Sequence, residues 1–242
     1  MRASQLAVSV TNLVRGLKDM RVATAPVVLA AAIAAALYVF FQIADEVGED
    51  EIAGIDQALL LVFRDPADIT DPWGPPWFEE TVAEITSLGG YPILIAVVGT
   101  VVGYLLVVRM FGPALYTTLS ILLGTGLSQL LKAFYDRTRP DLVDHLVTTH
   151  TASFPSGHAT MSTIVYLTLA ALIVRLVDDM RARIYVICIA VLVSVLVGLS
   201  RIYLGVHWPS DVAAGWALGV AWACVSWLSV SGLRALRQRN SE

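Results

Sequence analysis

Charge is scarce in this chain: only 15% of its 242 residues are charged, against about a quarter in soluble domains. That shortage argues against a water-soluble globule. Basic residues are not in excess either. The net charge is -4 and no basic stripe runs along the sequence, which excludes nucleic acid as a partner. Cysteine is nearly absent. The two present, Cys188 and Cys224, lie inside apolar stretches without metal-ligand spacing, so they read as small buried hydrophobes. The acidic residues of the longest polar segment are dispersed, and no metal cage is expected among them. Internal repeats, low-complexity tracts and domain linkers are also missing, so residues 1–242 read as one domain.

What the chain has instead is apolar length, 57% of its residues being hydrophobic. A bilayer-crossing helix needs about 20 mostly apolar residues. Six stretches meet or approach that: Val22–Ala44, Ile93–Val108, Ala114–Leu131, Ala159–Leu176, Ile184–Leu199 and Val212–Val230. The first is longer than a signal-peptide core and shows no small-residue cleavage site after it, so it reads as a retained span. The expected fold is an all-α polytopic membrane bundle of about six transmembrane helices.

Charge placement gives the orientation. Six spans put both termini on one side, together with Arg2, Arg15, Lys18, Arg21, Arg109, Arg175, Arg181, Arg183, Arg234, Arg237 and Arg239. The opposite side carries only Arg64, Lys132, Arg137, Arg139 and Arg201. The positive-inside rule predicts cytoplasmic termini and puts His145, His150, His158 and His207 outside. The short cytoplasmic loops suggest a bacterial inner membrane, with the histidines facing the periplasm or exterior. Residues 45–90 form the one long outer loop. Ile52, Ile55, Leu59, Leu60 and Val62 have a partly helical spacing, and Trp73 and Trp77 flank Gly74-Pro75-Pro76. This segment reads either as interfacial helices or as a cap packed over the bundle.

Within 114–230, three clusters sit at ends of apolar segments. Lys132 and Arg139 are seven residues apart, which on a helix places them on one face, two turns apart, with Pro140 closing the helix. Two such cations also suit snorkelling to headgroups. Pro155-Ser156-Gly157-His158 opens the fourth span. A helix N-terminus is a ready anion site, Gly157 permits close backbone approach, and Ser156 adds a hydroxyl; a simple cap would use the same residues. Ser200-Arg201 closes the fifth span, and His207 and Asp211 bracket the start of the sixth. Asp211 at i+4 is placed to bond one ring nitrogen of His207 and free the other for attack, although a capping pair has the same spacing. The three clusters fall on one membrane face, which favours a shared site over three separate caps.

The set Lys132-x6-Arg139-Pro140, Pro155-Ser156-Gly157-His158 and Ser200-Arg201-x5-His207-x3-Asp211 resembles the type-2 phosphatidic acid phosphatase family of integral membrane enzymes, with its three signature motifs in order. The resemblance implies a metal-independent, cofactor-free phosphoric-ester or diphosphate hydrolase. His207 is similar to the family nucleophile that becomes a phosphohistidine. Asp211 would orient it and His158 would protonate the leaving oxygen. Lys132, Arg139, Arg201, Ser156 and the Gly157 backbone would hold the phosphoryl oxygens. Charge stabilisation of this kind is usually the largest catalytic contribution, and three cations do what magnesium does elsewhere. The implied substrate is a lipid phosphate or diphosphate met among membrane lipids: undecaprenyl diphosphate, phosphatidylglycerophosphate, phosphatidate or a lipid A phosphate, with an isoprenyl diphosphate or a broad range of lipid phosphates favoured. A phosphotransferase would share every site residue. An anion-binding transporter fits less well, because mid-span ionisable residues mark transport paths and almost none occur here. The related vanadium haloperoxidases share the pocket but are soluble.

Overall fold

A computed structural model describes residues 26–49, 51–147 and 151–239. Among these the regular structure is helical: α1 (Pro26–Gly48), α2 (Ala53–Leu61), α3 (Pro76–Ser87), α4 (Tyr91–Val107), α5 (Phe111–Tyr135), α6 (Gly157–Leu176), α7 (Met180–Tyr203) and α8 (Pro209–Arg239). Beyond the helices, one isolated β-bridge joins Arg64 to Pro72. His150 and the basic residues before Pro26 lie outside the described residues.

Five helices are long and apolar enough to cross a membrane, and α3 with α4, bent by 45° at their junction, make a sixth candidate. The expected spans correspond to α1 and α4 to α8, with the helices extended at most ends. The second expected span, Ile93–Val108, is met by α4, whose 17 residues make it the shortest of the six; α3 and α4 together form the bent candidate.

The helix α6 forms the centre. Of its most apolar 18-residue window 56% is buried, against 22% for α7 and 17% for α1, whose outward Ile, Leu and Val side chains suit hydrocarbon. Lipid tails are as apolar as leucine, so helices in a bilayer associate through close packing and small residues rather than by escaping water. The sequence Gly215-x3-Gly219 on α8 meets this need. A Cβ at Gly219 would lie 2.5 Å from the Thr163 Cβ of α6, and one at Gly215 would lie 3.0 Å from the Ser156 carbonyl oxygen. Two glycines thus let α6 and α8 touch backbone to side chain, directly below the start of both helices.

The segment 45–90 packs as a cap against the bundle. Its helices α2 and α3 bury Leu60 and Val82 in clusters shared with Val212, Tyr203 and Leu204, while Trp73 and Trp77 stay 63% and 65% exposed. Arg64 pins this segment to the bundle: its Nη1 donates to the carbonyls of Phe63 and Tyr203 at 3.1 and 2.9 Å. Burial lowers the pKa of Arg64, opposed by the fields of Tyr203, Glu79 and Asp144.

Candidate active site

Each cluster is aimed by a local device at a helix end. Asp136 caps α5 in the left-handed region at φ +40°, its N–H returning to the Lys132 carbonyl at 3.1 Å. The expectation that Lys132 and Arg139 share a helix face is therefore corrected. The helix ends at Tyr135, and Arg137 to Arg139 turn back across the end of the bundle. Ser156 is the N-cap of α6, its Oγ accepting from the Ala159 N–H at 3.5 Å. Gly205, at φ +72°, makes the turn after α7; a side chain there is disfavoured sterically, and its Cβ would also meet Arg64 Nη2 at 2.8 Å. This turn brings His207 to the same side as Arg201.

The start of α8 follows the helix-initiation pattern. Pro209 is the first helical residue, where its missing N–H costs nothing. Asp211, two residues on, reaches back to accept the Trp208 N–H through Oδ2 at 2.9 Å, as the acidic residue of a capping box does. Asp211 is thus both a cap and the neighbour of His207, which lies just before the helix rather than on it.

A cavity of about 300 Å³ gathers Lys132, Arg139, Gly157, His158, Arg201 and His207, with Gly89, Tyr91, Gln129 and Thr151. Lys132 Nζ donates to the Ala152 carbonyl at 2.7 Å. Arg139 donates to the carbonyls of Thr151 and Val206 at 2.9 and 2.6 Å, and its Nη1 stands 3.3 Å from His207 Nε2. Arg201 donates to Thr86 Oγ1 at 3.1 Å, while its buried Nε has no protein partner among the described residues. The His158 ring, on the cavity wall, has no hydrogen bond among the described residues. Two predicted residues lie off the wall. Ser156 is fully buried beneath α6, and its N–H holds the Asp211 carbonyl at 2.9 Å. Asp211 sits behind His207.

His207 is 2% exposed. Its Nδ1 lies 3.4 Å from Asp211 Oδ2 and 3.3 Å from Ser153 Oγ, and Ser153 in turn donates a short hydrogen bond to the same Asp211 oxygen. With Nδ1 committed to these acceptors, Nε2 is left as the ring's lone-pair atom, and Arg139 Nη1 stands against it. Burial pushes the His207 pKa down to about 3, with Asp211 opposing and Arg139 and Arg201 assisting, so the ring is neutral near pH 7. Burial also lowers the pKa of Arg139, against the field of Asp211; an arginine starts high enough to keep its charge.

Sequence reasoning did not single out three residues here. Ser153 had no periodic signal. Arg137 carries no motif spacing, and Asp56 is a lone acidic residue between the apolar ones of α2. Arg137 donates to Asp211 Oδ1 at 2.7 Å and to Asp56 Oδ2 at 2.9 Å.

A second cavity of about 400 Å³ opens between α4, α5 and α6, lined by apolar residues such as Leu94, Val98, Ile121 and Val165. Tyr91 belongs to both cavities, and its hydroxyl accepts from Gln129 Nε2 at 2.7 Å.

A helical membrane bundle with three cations around a neutral, carboxylate-backed histidine defines an integral membrane phosphoric-ester hydrolase. The chain belongs to the PAP2 superfamily, whose profile matches residues 113–235. It is 33% identical over 148 residues to phosphatidylglycerophosphatase B of Bacillus subtilis, spanning 60% of this chain and 71% of that protein. It is 40% identical over 78 residues to undecaprenyl-diphosphatase of Sulfolobus acidocaldarius, 32% of each chain. The crystal structure of a transmembrane PAP2-type phosphatidylglycerolphosphate phosphatase from Bacillus subtilis superposes with a TM-score of 0.69 at 28% identity, over 84% of this chain and 94% of that one.

Proposed function

We propose that the protein hydrolyses the phosphate of a membrane lipid through a phosphohistidine on His207. The observation that carries this reading is the His207 ring: Nδ1 is engaged by Asp211 and Ser153, Nε2 is within reach of Arg139, and the residue lies on the wall of a cavity bearing Lys132, Arg139 and Arg201. In the first step the Nε2 lone pair attacks phosphorus, an N–P bond forms and the ester P–O bond breaks. His158, on the opposite element of the wall, gives its proton to the leaving oxygen. In the second step water attacks phosphorus, its proton passes to His158, the N–P bond breaks and inorganic phosphate leaves. Lys132, Arg139 and Arg201 neutralise the charge on the equatorial oxygens, where preorganised donors contribute most. Backbone N–H groups at the start of α6, near Gly157, add to that field. Ser156 acts through the cap it makes, a revision of its expected contact with phosphate.

The apolar cavity that shares Tyr91 with the phosphate pocket supports a lipid substrate, because a tail lying there leaves its headgroup at the cations. Phosphatidylglycerophosphate comes first among substrates, given the extent of the match to the Bacillus phosphatase; undecaprenyl diphosphate, phosphatidate and a lipid A phosphate complete the set. We also infer that residues 1–242 act as a single domain, with cytoplasmic termini and the pocket facing outward from a bacterial inner membrane. A cysteine introduced near Asp144 then reacts with an impermeant thiol reagent on intact cells; labelling only after lysis inverts the orientation.

The test is phosphate release by detergent-purified protein from these four lipids in the presence of chelator. Release from one of them, absent in His207→Ala, supports the reading. Strong inhibition by chelator that magnesium reverses would overturn the metal-independent mechanism, and phosphate transfer only when an acceptor is added would make the enzyme a transferase.

A further inference from the structure

Arg137 does not line the cavity, yet among the described residues it is the one arginine or lysine bonded to Asp211. Its guanidinium spans two buried carboxylates: Nη1 to Asp211 Oδ1 at 2.7 Å and Nη2 to Asp56 Oδ2 at 2.9 Å. Both acids are almost without solvent contact, Asp56 at 1% and Asp211 at 0% exposure. Asp56 is itself held from the far side. Its Oδ1 accepts the Ser210 N–H at 2.8 Å, its Oδ2 accepts the Ser210 hydroxyl, and Ser210 Oγ also accepts from Arg137 Nη1 at 2.8 Å. The Arg137 guanidinium lies 5.8 Å from the Trp208 ring centroid. Four residues from three segments of chain thus close into one network, in which all four carboxylate oxygens and both terminal nitrogens of Arg137 have partners.

Its geometry has a directional consequence. A carboxylate held by one oxygen is free to rotate about its Cβ–Cγ bond. Here Oδ1 is fixed by Arg137, which leaves Oδ2 pointing at the Trp208 N–H, Ser153 and His207 Nδ1. The rigid fork of arginine can make two such contacts at once; a lysine ammonium offers one point charge. Stability alone is a weak reason for such a network, since buried ion pairs are often replaceable by apolar packing.

We propose that Arg137 and Asp56 are positioning residues for catalysis. They form a clamp that fixes the rotation of Asp211, and through it the Nδ1–H form and aim of His207. Asp56 lies on α2, outside residues 113–235 matched by the family profile. The outer segment would therefore contribute to the reaction a residue that the family match does not include. The proposal rests on His207 acting as nucleophile.

The experiment compares Arg137→Gln, Arg137→Lys, Asp56→Asn and the double variant Arg137→Gln/Asp56→Asn of the full chain. Arg137→Gln alone strands the Asp56 charge and is expected to lower the thermal midpoint. The double variant removes the Arg137 and Asp56 charges with nearly the same shapes and regains part of that midpoint, the Asp211 charge remaining without its arginine. Loss of an outer residue that orients a reacting ligand typically costs about 10- to 100-fold. The expected result is a kcat reduced by that factor in the double variant, with KM changed less than about twofold, and no recovery in Arg137→Lys. Wild-type kcat in the folded double variant would overturn the clamp, as would a loss in each variant that only tracks its folded fraction. Nitrogen NMR of the His207 ring provides an arm that needs no substrate. The wild type should show the Nδ1–H form and the double variant a mixture; an identical ring spectrum in both refutes the clamp even where no lipid is turned over. A wild type that releases no phosphate, with the ring spectrum responding as described, would sink the phosphatase reading and leave the clamp standing.

Discussion

Replacing Gly219 by alanine should damage catalysis far more than stability. The added Cβ would fall 2.5 Å from Thr163 Cβ and 2.7 Å from its Cγ2, where carbon atoms normally sit about 3.5–4.0 Å apart. Thr163 has little room to yield, because its Oγ1 is bonded to the Ala159 carbonyl at 2.7 Å. The helices α6 and α8 must therefore separate by about 1 Å. Overpacking of this kind costs about 1–3 kcal/mol, while alanine in place of glycine returns about 1 kcal/mol of helix propensity, so the net loss of stability is about 0–2 kcal/mol. Function is more exposed. The first turn of α6 carries His158, and α8 begins two residues after His207, so parting the helices parts acid from nucleophile. A misplacement near 1 Å can cost about 100-fold in rate. Gly232→Ala is the control, since nothing lies within 4 Å of the Cβ it would add. The assay is kcat/KM for lipid phosphate hydrolysis beside the thermal midpoint in the same detergent. Gly219→Ala matching Gly232→Ala in both readouts would refute the packing argument.

Three further outcomes are expected. Lys132→Gln removes one of three cations on the cavity wall and should lower kcat by about 100- to 1,000-fold, as loss of a single charge-stabilising donor does; a change below about threefold would take Lys132 out of the phosphate-binding set. His158→Ala should slow substrates with poor leaving groups much more than activated aryl phosphates, and equal losses on both would remove its acid role. The thermal midpoint should fall as pH drops below about 6.5. The folded state keeps His207 neutral down to about 3, so the unfolded chain takes up the proton first and gains from acid; that contribution is complete above 6.5 and is lost towards 3. His207→Asn should flatten this part of the pH dependence, and an unchanged slope would contradict the buried neutral ring.

Much of the fold was readable because hydrocarbon imposes a single strong requirement, apolar length, on every span. The ends were less clear. Hydropathy separates α3, which carries Glu79, Glu80 and Glu84, from the apolar α4, so it does not show that α3 continues toward α4 across the short Leu88-Gly89-Gly90 turn. The packing of α6 on α8 did leave a mark, the Gly215-x3-Gly219 spacing, and its meaning became clear only with Thr163 opposite. At the site, the motifs contained Lys132, Arg139, Gly157, His158, Arg201 and His207 of the cavity wall, which carry distinctive chemistry, and did not contain Gly89, Tyr91, Gln129 or Thr151. They could not identify what stands behind them. Arg137 meets Asp56 across 81 residues and Asp211 across 74, and Ser153 meets Asp211 across 58. Such pairings arise from tertiary closure and have no local period. Lys132 and Arg139 show the converse: their seven-residue spacing suggested one helix face, and a single left-handed residue, Asp136, ends the helix between them.

The proposed hydrolysis turns on passage of the phosphoryl group through His207. The most direct test is to mix the purified enzyme with a radiophosphate-labelled lipid phosphate, quench into base during turnover, and map the label by peptide analysis. The expected outcome is base-stable, acid-labile phosphate on the peptide carrying His207, and neither label nor turnover in His207→Ala. Label on another residue, or full turnover by folded His207→Ala, would contradict it.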